Sequence, residues 1–428
     1  MKVAFVYPEV YDVARFGKER KEFPPFGVLY LATIVSMQNG MSVQVFSVSS
    51  ADTSLDLTDF DVVAFSVSSS VTYHIIKGVR RISTYARDVL LLAGGVHAGL
   101  FPEQTLLDLD VHAVGIGYGD ETILELIRQK NERCFSQVRG ICFRRSDKLM
   151  VTEERPLTKD LNHLPVILGR NLLPDPDFVM TDRLANTDLR MTHVMMTRGC
   201  PFSCNFCASW QKRLQYRSGW HVRSELEYLK RTYAIEGFAE TGDNFMVNKR
   251  RVGEICNAIA DLGLRWSALS RVDTVDYDSL EAVHDAGCIE IKYGIESGSE
   301  KILKAMGKGI SLDQIYNAVK ITHAAGIMIK AFIVHGYPGE NTKTTQATIR
   351  MLRDLAPMVS RISLFRFVPL PGSAVYNDIR HQMHTSTSDW GQCHIHHNPN
   401  HWWGTEEDFA IVEASYQELN AFILDIWG

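Results

Sequence analysis

Residues 198–209 read RGCPFSCNFCAS and place three cysteines within eight positions. Cys200, Cys204 and Cys207 follow a C-x3-C-x2-C spacing. A structural zinc site takes four ligands, and no fourth Cys or His lies within this loop. A cubane iron–sulfur cluster also takes four ligands. Three thiols in one loop would leave one iron of such a cluster free, so the missing fourth ligand predicts a place for a bound cofactor or substrate.

The bulk composition narrows the class of protein. The chain has 428 residues, which is too long for one ordinary domain, with 45% hydrophobic and 22% charged residues. Its net charge of -5 argues against sequence-independent nucleic-acid binding, which needs clustered Lys and Arg. We find no signal peptide and no apolar run of about 18 residues, so no membrane partner is expected. We therefore expect a cytoplasmic protein with reduced cysteines.

Residues 1–135 alternate short apolar runs with helix-like segments, which predicts an α/β domain with a doubly wound parallel sheet. In such a sheet, ligands bind at the carboxyl ends of the strands. Small or hydroxyl residues fall at those ends, and they would also suit plain turns. They are residues 66–70, Gly94, Gly95, Gly115, Gly117 and Gly119.

The rest of the chain forms three further segments. Residues 136–190 predict a β-hairpin, with its turn at Ser146 and Asp147, followed by a linker. Residues 191–375 carry six strand–helix units, typical of an open or closed βα barrel with its chemistry at the carboxyl ends of the strands. Residues 376–428 are His- and Trp-rich and close with a helix.

The His- and Trp-rich stretch would act as a lid, either over a polyhydroxylated, cationic substrate or with no substrate contact. A second metal is disfavoured because the histidines lack an acidic or Cys partner. The residues concerned are His394, His396, His397, His401, Trp402, Trp403, Asp389, Glu406 and Glu407.

The cysteine spacing, Phe206 before the last cysteine, and the position after the first barrel strand together resemble the radical SAM superfamily, over about residues 190–375. The resemblance implies that Cys200, Cys204 and Cys207 hold a [4Fe-4S] cluster and that S-adenosylmethionine binds the free iron. It also implies reductive cleavage to methionine and a 5′-deoxyadenosyl radical that abstracts hydrogen from a small-molecule substrate. A flavodoxin- or ferredoxin-type protein would supply the electron.

Further segments are similar to the S-adenosylmethionine contacts of that superfamily. Each alone would equally suit a surface charge or a turn, whereas their order at successive strand ends favours cofactor binding. The implied contacts are Glu240, Thr241 and Asp243 to the methionine amino group, Ser270 and Arg271 to ribose and carboxylate, Glu296 to ribose, and Gly336, Pro338 and Gly339 beside adenine.

Residues 1–130 resemble the cobalamin-binding domain that precedes many radical SAM cores, through FPPFGVLYLATIVSMQNGMSVQVF, AGGVHAG and GIGYGDET. The Asp-x-His-x-x-Gly signature that supplies a lower axial histidine is absent. The turn around Ile116 and Tyr118 also departs from the usual Gly-Glu-Gly-Glu, with only Asp120 or Glu121 in place of its acid. The sequence thus leaves cobalamin open and weighs slightly against it.

Two reactions are compatible with this plan. The sequence favours radical 1,2-diol dehydration of an amino sugar, since the layout resembles the radical SAM diol dehydratases of apramycin-type aminoglycoside biosynthesis. Tyr216 would then be the proton and electron donor, or else an ordinary packed tyrosine, and a separate ketone reductase would finish the deoxy sugar. The alternative is a cobalamin-dependent C-methyltransferase. RNA- and peptide-modifying enzymes are disfavoured because no basic module and no second cysteine cluster are visible.

Overall fold

The computed structural model describes residues 1–9, 24–68, 71–174, 180–184, 187–209, 212–382 and 404–428. The chain divides into two compact units, described separately below. Unit 1 comprises Met1–Lys159 and His163–Phe178, and unit 2 comprises Asp160–Asn162 and Val179–Gly428. The predicted lid residues of 383–403 lie outside the described residues, whereas Glu406 and Glu407 are exposed in the first turn of a helix.

Unit 1 is built on a seven-stranded sheet with the order β2-β1-β4-β6-β7-β8-β9, and β3 pairs separately with β5. Its strands are β1 (Lys2–Pro8), β2 (Ser42–Val48), β3 (Asp56–Leu57), β4 (Val62–Ser66), β5 (Thr84–Tyr85), β6 (Leu90–Gly94), β7 (Ala113–Gly115), β8 (Ile141–Arg145) and β9 (Lys148–Val151). Its helices are α1 (Phe26–Ser36), α2 (Val71–Ile82), α3 (Val96–Leu100), α4 (Pro102–Leu109) and α5 (Thr122–Arg128).

The predicted doubly wound parallel sheet is confirmed for β1, β2, β4, β6 and β7, which pair in parallel. Strand β1 shows why the sequence folds this way. Five consecutive residues of KVAFVYP are buried, so both faces of the strand are covered, as is usual for a parallel sheet enclosed by helices.

The predicted hairpin forms with a two-residue turn, because Arg145 pairs with Lys148 and Ser146 adopts a φ of 53°. Its first strand pairs antiparallel with β7 and so extends the sheet of unit 1. The structural division therefore falls later in the chain than the boundary at residue 135 that the sequence suggested.

Unit 2 contains a seven-stranded sheet with the order β10-β11-β14-β15-β16-β17-β18, and β12 pairs with β13. Its strands are β10 (Met180–Leu184), β11 (Thr187–Val194), β12 (Thr197–Arg198), β13 (Gln215–Tyr216), β14 (Gly237–Glu240), β15 (Arg265–Ser270), β16 (Cys288–Glu296), β17 (Met328–His335) and β18 (Arg361–Arg366). Its helices are α6 (Gly219–Tyr233), α7 (Lys249–Ile259), α8 (Tyr277–Asp285), α9 (Glu300–Ala305), α10 (Leu312–Ala324), α11 (Thr342–Leu355), α12 (Ala374–Ile379) and α13 (Glu406–Trp427).

The strands from β11 to β18 in this sheet pair in parallel and follow chain order, which confirms the predicted open βα barrel. Trp266 on β15 is fully buried, stacks on Phe238 of β14 at 5.7 Å between ring centroids, and meets the edge of Phe245 at 5.5 Å. The three rings belong to the same hydrophobic core as the buried residues of α7.

Helix α13 belongs to the barrel unit. A capping box between Thr405 and Asp408 starts it, and Leu419 and Ile423 enter the barrel's hydrophobic core. Trp427 donates its indole N–H to the Val359 carbonyl at 2.8 Å. None of the helices in the described ranges combines the length and the apolar character that a membrane crossing requires.

Candidate functional site

The three-cysteine segment lies in residues 199–214, which we call the cluster loop. Antiparallel pairing of β12 with β13 closes its base, with Thr197 opposite Tyr216 and Arg198 opposite Gln215. Arg217, which follows immediately, is fully buried. Its guanidinium donates to the Met195 carbonyl at 3.2 Å and to the His221 carbonyl at 3.1 Å, and forms an ion pair with Glu225. The two ends of the loop are therefore fixed by backbone pairing and by a buried ionic network.

The three thiols are half-buried within this loop. The Cys207 amide donates to the Cys204 carbonyl at 3.1 Å, and the Ser209 amide donates to Cys207 Sγ at 3.4 Å. Burial raises the pKa of Cys200 and of Cys207, and the nearby Cys204 raises both pKa values further. The loop itself thus favours the neutral thiols, and positively charged iron would be needed to favour the thiolates.

Three thiols within one loop are a donor set that an iron–sulfur cluster takes. In the part of the chain that the structure describes, no three His, Cys, Asp or Glu side chains converge as ligands of one ion. In a cubane each thiolate binds a different iron, so the thiols surround the cluster and do not meet at a point. Cys200, Cys204 and Cys207 are the residues that would hold it.

The cluster loop is anchored to the barrel through Asn205 and Phe206. The Asn205 amide donates to the Met306 carbonyl at 2.7 Å, and its side-chain nitrogen donates to the Ala305 carbonyl at 3.0 Å. Gly307 is needed for this approach, since an added Cβ would lie 2.9 Å from Asn205 Oδ1. The Phe206 ring packs on a small apolar cluster of Ile302, Met306, Tyr337, Phe367, Val375 and Ile379.

Glu240 ends β14 and is 1% exposed. Its Oε1 accepts hydrogen bonds from the Gly242 amide at 2.9 Å, the Thr197 hydroxyl at 3.1 Å and the Met196 amide at 3.3 Å. Its Oε2 is buried without a hydrogen-bond partner among the described residues. Burial raises the pKa of Glu240 to about 7. A buried, half-satisfied carboxylate of this kind fits a cationic ligand group such as the amino group of S-adenosylmethionine.

The two other residues predicted beside Glu240 lie close by. The Thr241 hydroxyl donates to the Val194 carbonyl at 3.3 Å, so it is tied to the end of β11. Asp243 is exposed and accepts a hydrogen bond from the Ser209 hydroxyl at 3.3 Å. The structure therefore brings the cluster loop and the segment after β14 together through the contact of Ser209 with Asp243.

Ser270 and Arg271 follow at the end of β15. Ser270 is buried, and its hydroxyl lies 3.0 Å from the Thr274 hydroxyl within its own turn. Arg271 is also buried, and it donates to Cys204 Sγ at 3.4 Å. Arg271 thus contacts the cluster loop directly.

Glu296 ends β16 in a left-handed conformation, with φ at 68°, which is costly for a residue other than glycine. Its Oε1 accepts a hydrogen bond from Lys308 Nζ at 2.6 Å, and both side chains are buried. The Lys308 ammonium lies 5.7 Å from the Phe206 ring centroid. This ion pair therefore links Glu296 to the cluster loop.

The turn after β17 contains Gly336, Pro338 and Gly339, and the φ angles of its two glycines are 97° and 92°. Between them Tyr337 is buried and donates its hydroxyl to the Ala305 carbonyl at 3.1 Å. The same carbonyl accepts from Asn205, so the turn and the cluster loop meet at the end of α9. The predicted contacts of the second barrel half thus lie around one mouth.

Tyr216 lies in a different environment from the one predicted for a proton donor. Its ring is buried in the barrel core, its hydroxyl donates to the Phe245 carbonyl at 2.8 Å, and it accepts from the Asn248 amide at 3.0 Å. Burial raises its pKa further above the ordinary value. This is the setting of a packed core tyrosine, and it gives no support to the catalytic role that the sequence suggested.

Sequence reasoning missed Lys308 and the Arg217–Glu225 pair. Lys308 lies between Gly307 and Gly309, both with positive φ, and this Gly-Lys-Gly turn was the only local signal of a special conformation. Arg217 carries no such signal, because its partner Glu225 looks like one more polar residue on an amphipathic helix.

The candidate ligand edge of unit 1 lies at the carboxyl ends of the neighbouring strands β4 and β6. Gly95 has a φ of 109°, and an added Cβ would lie 2.5 Å from the Val67 carbonyl oxygen. An added Cβ at Gly94 would meet nothing within 4 Å, so this glycine borders open space. The bare backbone at Gly94 is the feature of this edge that suits a large flat ligand such as a corrinoid. Residues 69 and 70 of the predicted edge lie outside the described residues.

The family comparisons agree with this division of the chain. The family model of the Radical SAM superfamily matches residues 194–352, and the model of the B12 binding domain matches residues 15–127. The second match overturns the weighing against cobalamin. The weighing against cobalamin rested on the missing axial histidine and on the altered turn around Ile116 and Tyr118.

Three relatives are similar over most of the chain. An uncharacterized methyltransferase of Pyrococcus horikoshii is 28% identical, covering 82% of this chain and 78% of the relative. An anaerobic magnesium-protoporphyrin IX monomethyl ester cyclase of Cereibacter sphaeroides is 23% identical, covering 90% and 64%. A cytidylyl-2-hydroxyethylphosphonate methyltransferase of Streptomyces wedmorensis is 24% identical, covering 73% and 65%.

Two solved structures share the fold of nearly the whole chain. The radical S-adenosylmethionine methyltransferase TsrM of Kitasatospora setae, solved with cobalamin and a [4Fe-4S] cluster, superposes with a TM-score of 0.71 at 14% identity and covers 98% of this chain and 89% of that one. The cobalamin-dependent radical enzyme OxsB gives a TM-score of 0.72 at 14% identity, covering 98% and 66%. The chain thus carries a domain of the Radical SAM superfamily, and a B12-binding domain precedes it in the sequence.

Proposed function

We propose that the chain is a cobalamin-dependent radical SAM methyltransferase that transfers a methyl group to a carbon atom of a small molecule. The observation that carries this proposal is the union, in one chain, of a B12-binding domain with a barrel whose cluster loop holds three cysteines. The names of two of the three relatives, both methyltransferases, support it. This was the alternative in the sequence analysis, and the comparisons now favour it.

Different residues of the barrel would hold the different cofactors. Cys200, Cys204 and Cys207 would hold the cluster. When bound, the cluster would supply the electron that cleaves S-adenosylmethionine, and cobalamin would carry the methyl group. The cluster loop would hold the cysteines in fixed positions. Its two ends are paired with each other, and Asn205 binds its centre to the end of α9.

Glu240 would bind and orient the amino group of S-adenosylmethionine. Its Oε1 already has three donors and cannot turn away, so Oε2 keeps one direction. A cationic group there would remove the cost of the buried charge and bring the pKa of the carboxyl back down. Glu296, held by Lys308, would offer its carboxylate to ribose hydroxyls in the same manner.

Radical diol dehydration, which the sequence favoured, gains no support. None of the three relatives is named for a dehydration or for an aminoglycoside. Tyr216, the donor on which that mechanism relied, is a core residue. The separate ketone reductase belonged to the same reaction and has no role in methyl transfer.

Three further expectations complete the proposal. The substrate is a small molecule, a flavodoxin- or ferredoxin-type protein supplies the electron, and the reaction takes place in the cytoplasm. The negative net charge and the lack of a basic module support a substrate other than nucleic acid.

The test is an anaerobic reconstitution with iron, sulfide and hydroxocobalamin. Iron content and the visible spectrum report the two prosthetic groups, and incubation with reductant and S-adenosylmethionine is then analysed for products. Methyl transfer predicts that a candidate substrate raises 5′-deoxyadenosine and S-adenosylhomocysteine together. Formation of 5′-deoxyadenosine without S-adenosylhomocysteine, or failure of unit 1 to retain corrinoid, would contradict the proposal.

A further inference from the structure

Arg271 lies against the cluster loop with its guanidinium group. Its Nη1 donates to Cys204 Sγ at 3.4 Å, and its guanidinium carbon lies 3.8 Å from the centroid of the Phe202 ring. The residue is 6% exposed, so both contacts are made away from solvent. Arg271 therefore touches the loop at two points, one of which is a predicted cluster ligand.

The remaining donors of Arg271 are directed to its own surroundings. Nε and Nη2 each donate to a carboxylate oxygen of Asp273 at 2.8 Å, and Nη2 also donates to the Lys308 carbonyl at 2.6 Å. Together with the bond to Cys204, these contacts use four of the five N–H groups of the guanidinium. The bidentate pairing with Asp273 sets the direction of the fork, so Nη1 points at the sulfur before any ligand is bound.

This arrangement is better suited to the cluster than to S-adenosylmethionine, which the sequence suggested as the partner of Arg271. Only one N–H is left for a further ligand. The reduction potential of an iron–sulfur cluster depends on net charge, solvent exposure and hydrogen bonds to its sulfurs. A donor to Cys204 Sγ stabilises the more electron-rich, reduced cluster, and burial strengthens the effect.

We propose that Arg271 is a positioning residue that holds the Cys204 sulfur through an N–H···S hydrogen bond and thereby raises the reduction potential of the cluster. A flavodoxin- or ferredoxin-type donor would supply one electron to a cluster bound there, and this hydrogen bond from Arg271 would make that transfer more favourable. The inference rests on the cluster assignment of the proposed function.

The experiment is a redox titration of the reconstituted full chain, followed by electron paramagnetic resonance and carried out without S-adenosylmethionine. The test variant is the double substitution Arg271→Met with Asp273→Asn, which removes the hydrogen bond while leaving the local net charge unchanged. We expect the ratio of reduced to oxidised cluster at a fixed potential to fall about tenfold, which for a one-electron couple is a shift of about 59 mV to more negative values.

A matched control is Lys304→Met, which removes an exposed cation from α9, near the same end of the barrel. Because solvent screens that charge, the reduction potential of the cluster in this variant should equal that of the wild type. If the double variant fails to retain its iron, Arg271→Lys is titrated in its place. Lysine keeps the charge but cannot reach Asp273, Lys308 and Cys204 at once, so an intermediate potential is expected.

The outcomes separate this inference from the proposed function. A wild-type chain that takes up no cluster would refute the proposed function itself. A normal wild-type cluster with an unchanged potential in the double variant, or in Arg271→Lys, overturns the role of Arg271 alone. Weaker S-adenosylmethionine binding at unchanged potential would return Arg271 to the cofactor contact that the sequence suggested.

Discussion

Glu240→Gln is expected to change cofactor affinity and protein stability in opposite directions. Glutamine keeps an acceptor for Met196, Thr197 and Gly242, and it replaces the unpartnered oxygen by a neutral amide. The substitution therefore removes a buried charge with little change of shape. The effect on binding depends on whether that charge meets the ammonium of S-adenosylmethionine.

The stability effect follows from the pKa of Glu240, which burial raises from 4.5 to about 7. The folded state then binds more protons than the unfolded state between these values, so stability is lost as pH rises from about 4.5 through 7. A shift of this size corresponds to about 3 kcal/mol at pH 8. The cofactor-free Gln variant should be more stable than the wild type at pH 8 by up to that amount, and the difference should vanish near pH 4.5.

The binding effect has the opposite sign. A hydrogen bond to a charged group contributes about 1.5–3 kcal/mol, so the Kd for S-adenosylmethionine should rise roughly 10- to 150-fold. Anaerobic calorimetry on the reconstituted chain measures this, and 5′-deoxyadenosine is the matched ligand control because it lacks the ammonium. Affinity within threefold of wild type, an equal loss for 5′-deoxyadenosine, or a destabilised variant at pH 8 would refute the reasoning.

Three further substitutions test other parts of the structure. Tyr216→Phe should lower the free energy of unfolding by about 1–3 kcal/mol, because two buried backbone groups lose their partner. Substrate turnover should stay within a few-fold of wild type. A hundredfold loss of turnover without destabilisation would restore the proton-donor hypothesis. Gly95→Ala should abolish retention of hydroxocobalamin, measured by absorption after gel filtration, because its Cβ would collide with Val67 and its φ is unfavourable for alanine. Cys207→Ser should lose most cluster iron on chemical analysis while the circular dichroism spectrum stays unchanged, whereas Cys134→Ser, at an exposed site in unit 1, should keep its iron.

The parallel strands could be predicted because a strand buried on both faces leaves a continuous apolar run in the sequence, as in KVAFVYP. Strand β10 could not, since MTDRL is polar and pairs antiparallel with β11 at an edge of the sheet. The two-residue strands β12 and β13 are equally invisible in sequence, because so short a ladder has no periodicity.

The candidate site divides in the same way. The three cysteine ligands could be predicted from their spacing, since all three fall within one short loop. The contact between Asn205 and Ala305 joins residues 100 positions apart, so no local sequence pattern predicts it. Tyr216 shows the converse limit: its position in the sequence suggested chemistry, and only the backbone partners of its hydroxyl revealed a packing role.

The short ladder of β12 and β13 has a consequence for how long the enzyme survives in air. Because backbone hydrogen bonds and the buried Arg217 hold the two ends of the cluster loop, we expect the distance between those ends to be kept when iron is lost. Oxygen that destroys the cluster would then leave the loop's frame standing. Iron and sulfide could then be delivered to a chain that is still folded. An inactivated molecule would regain its cluster without new protein synthesis.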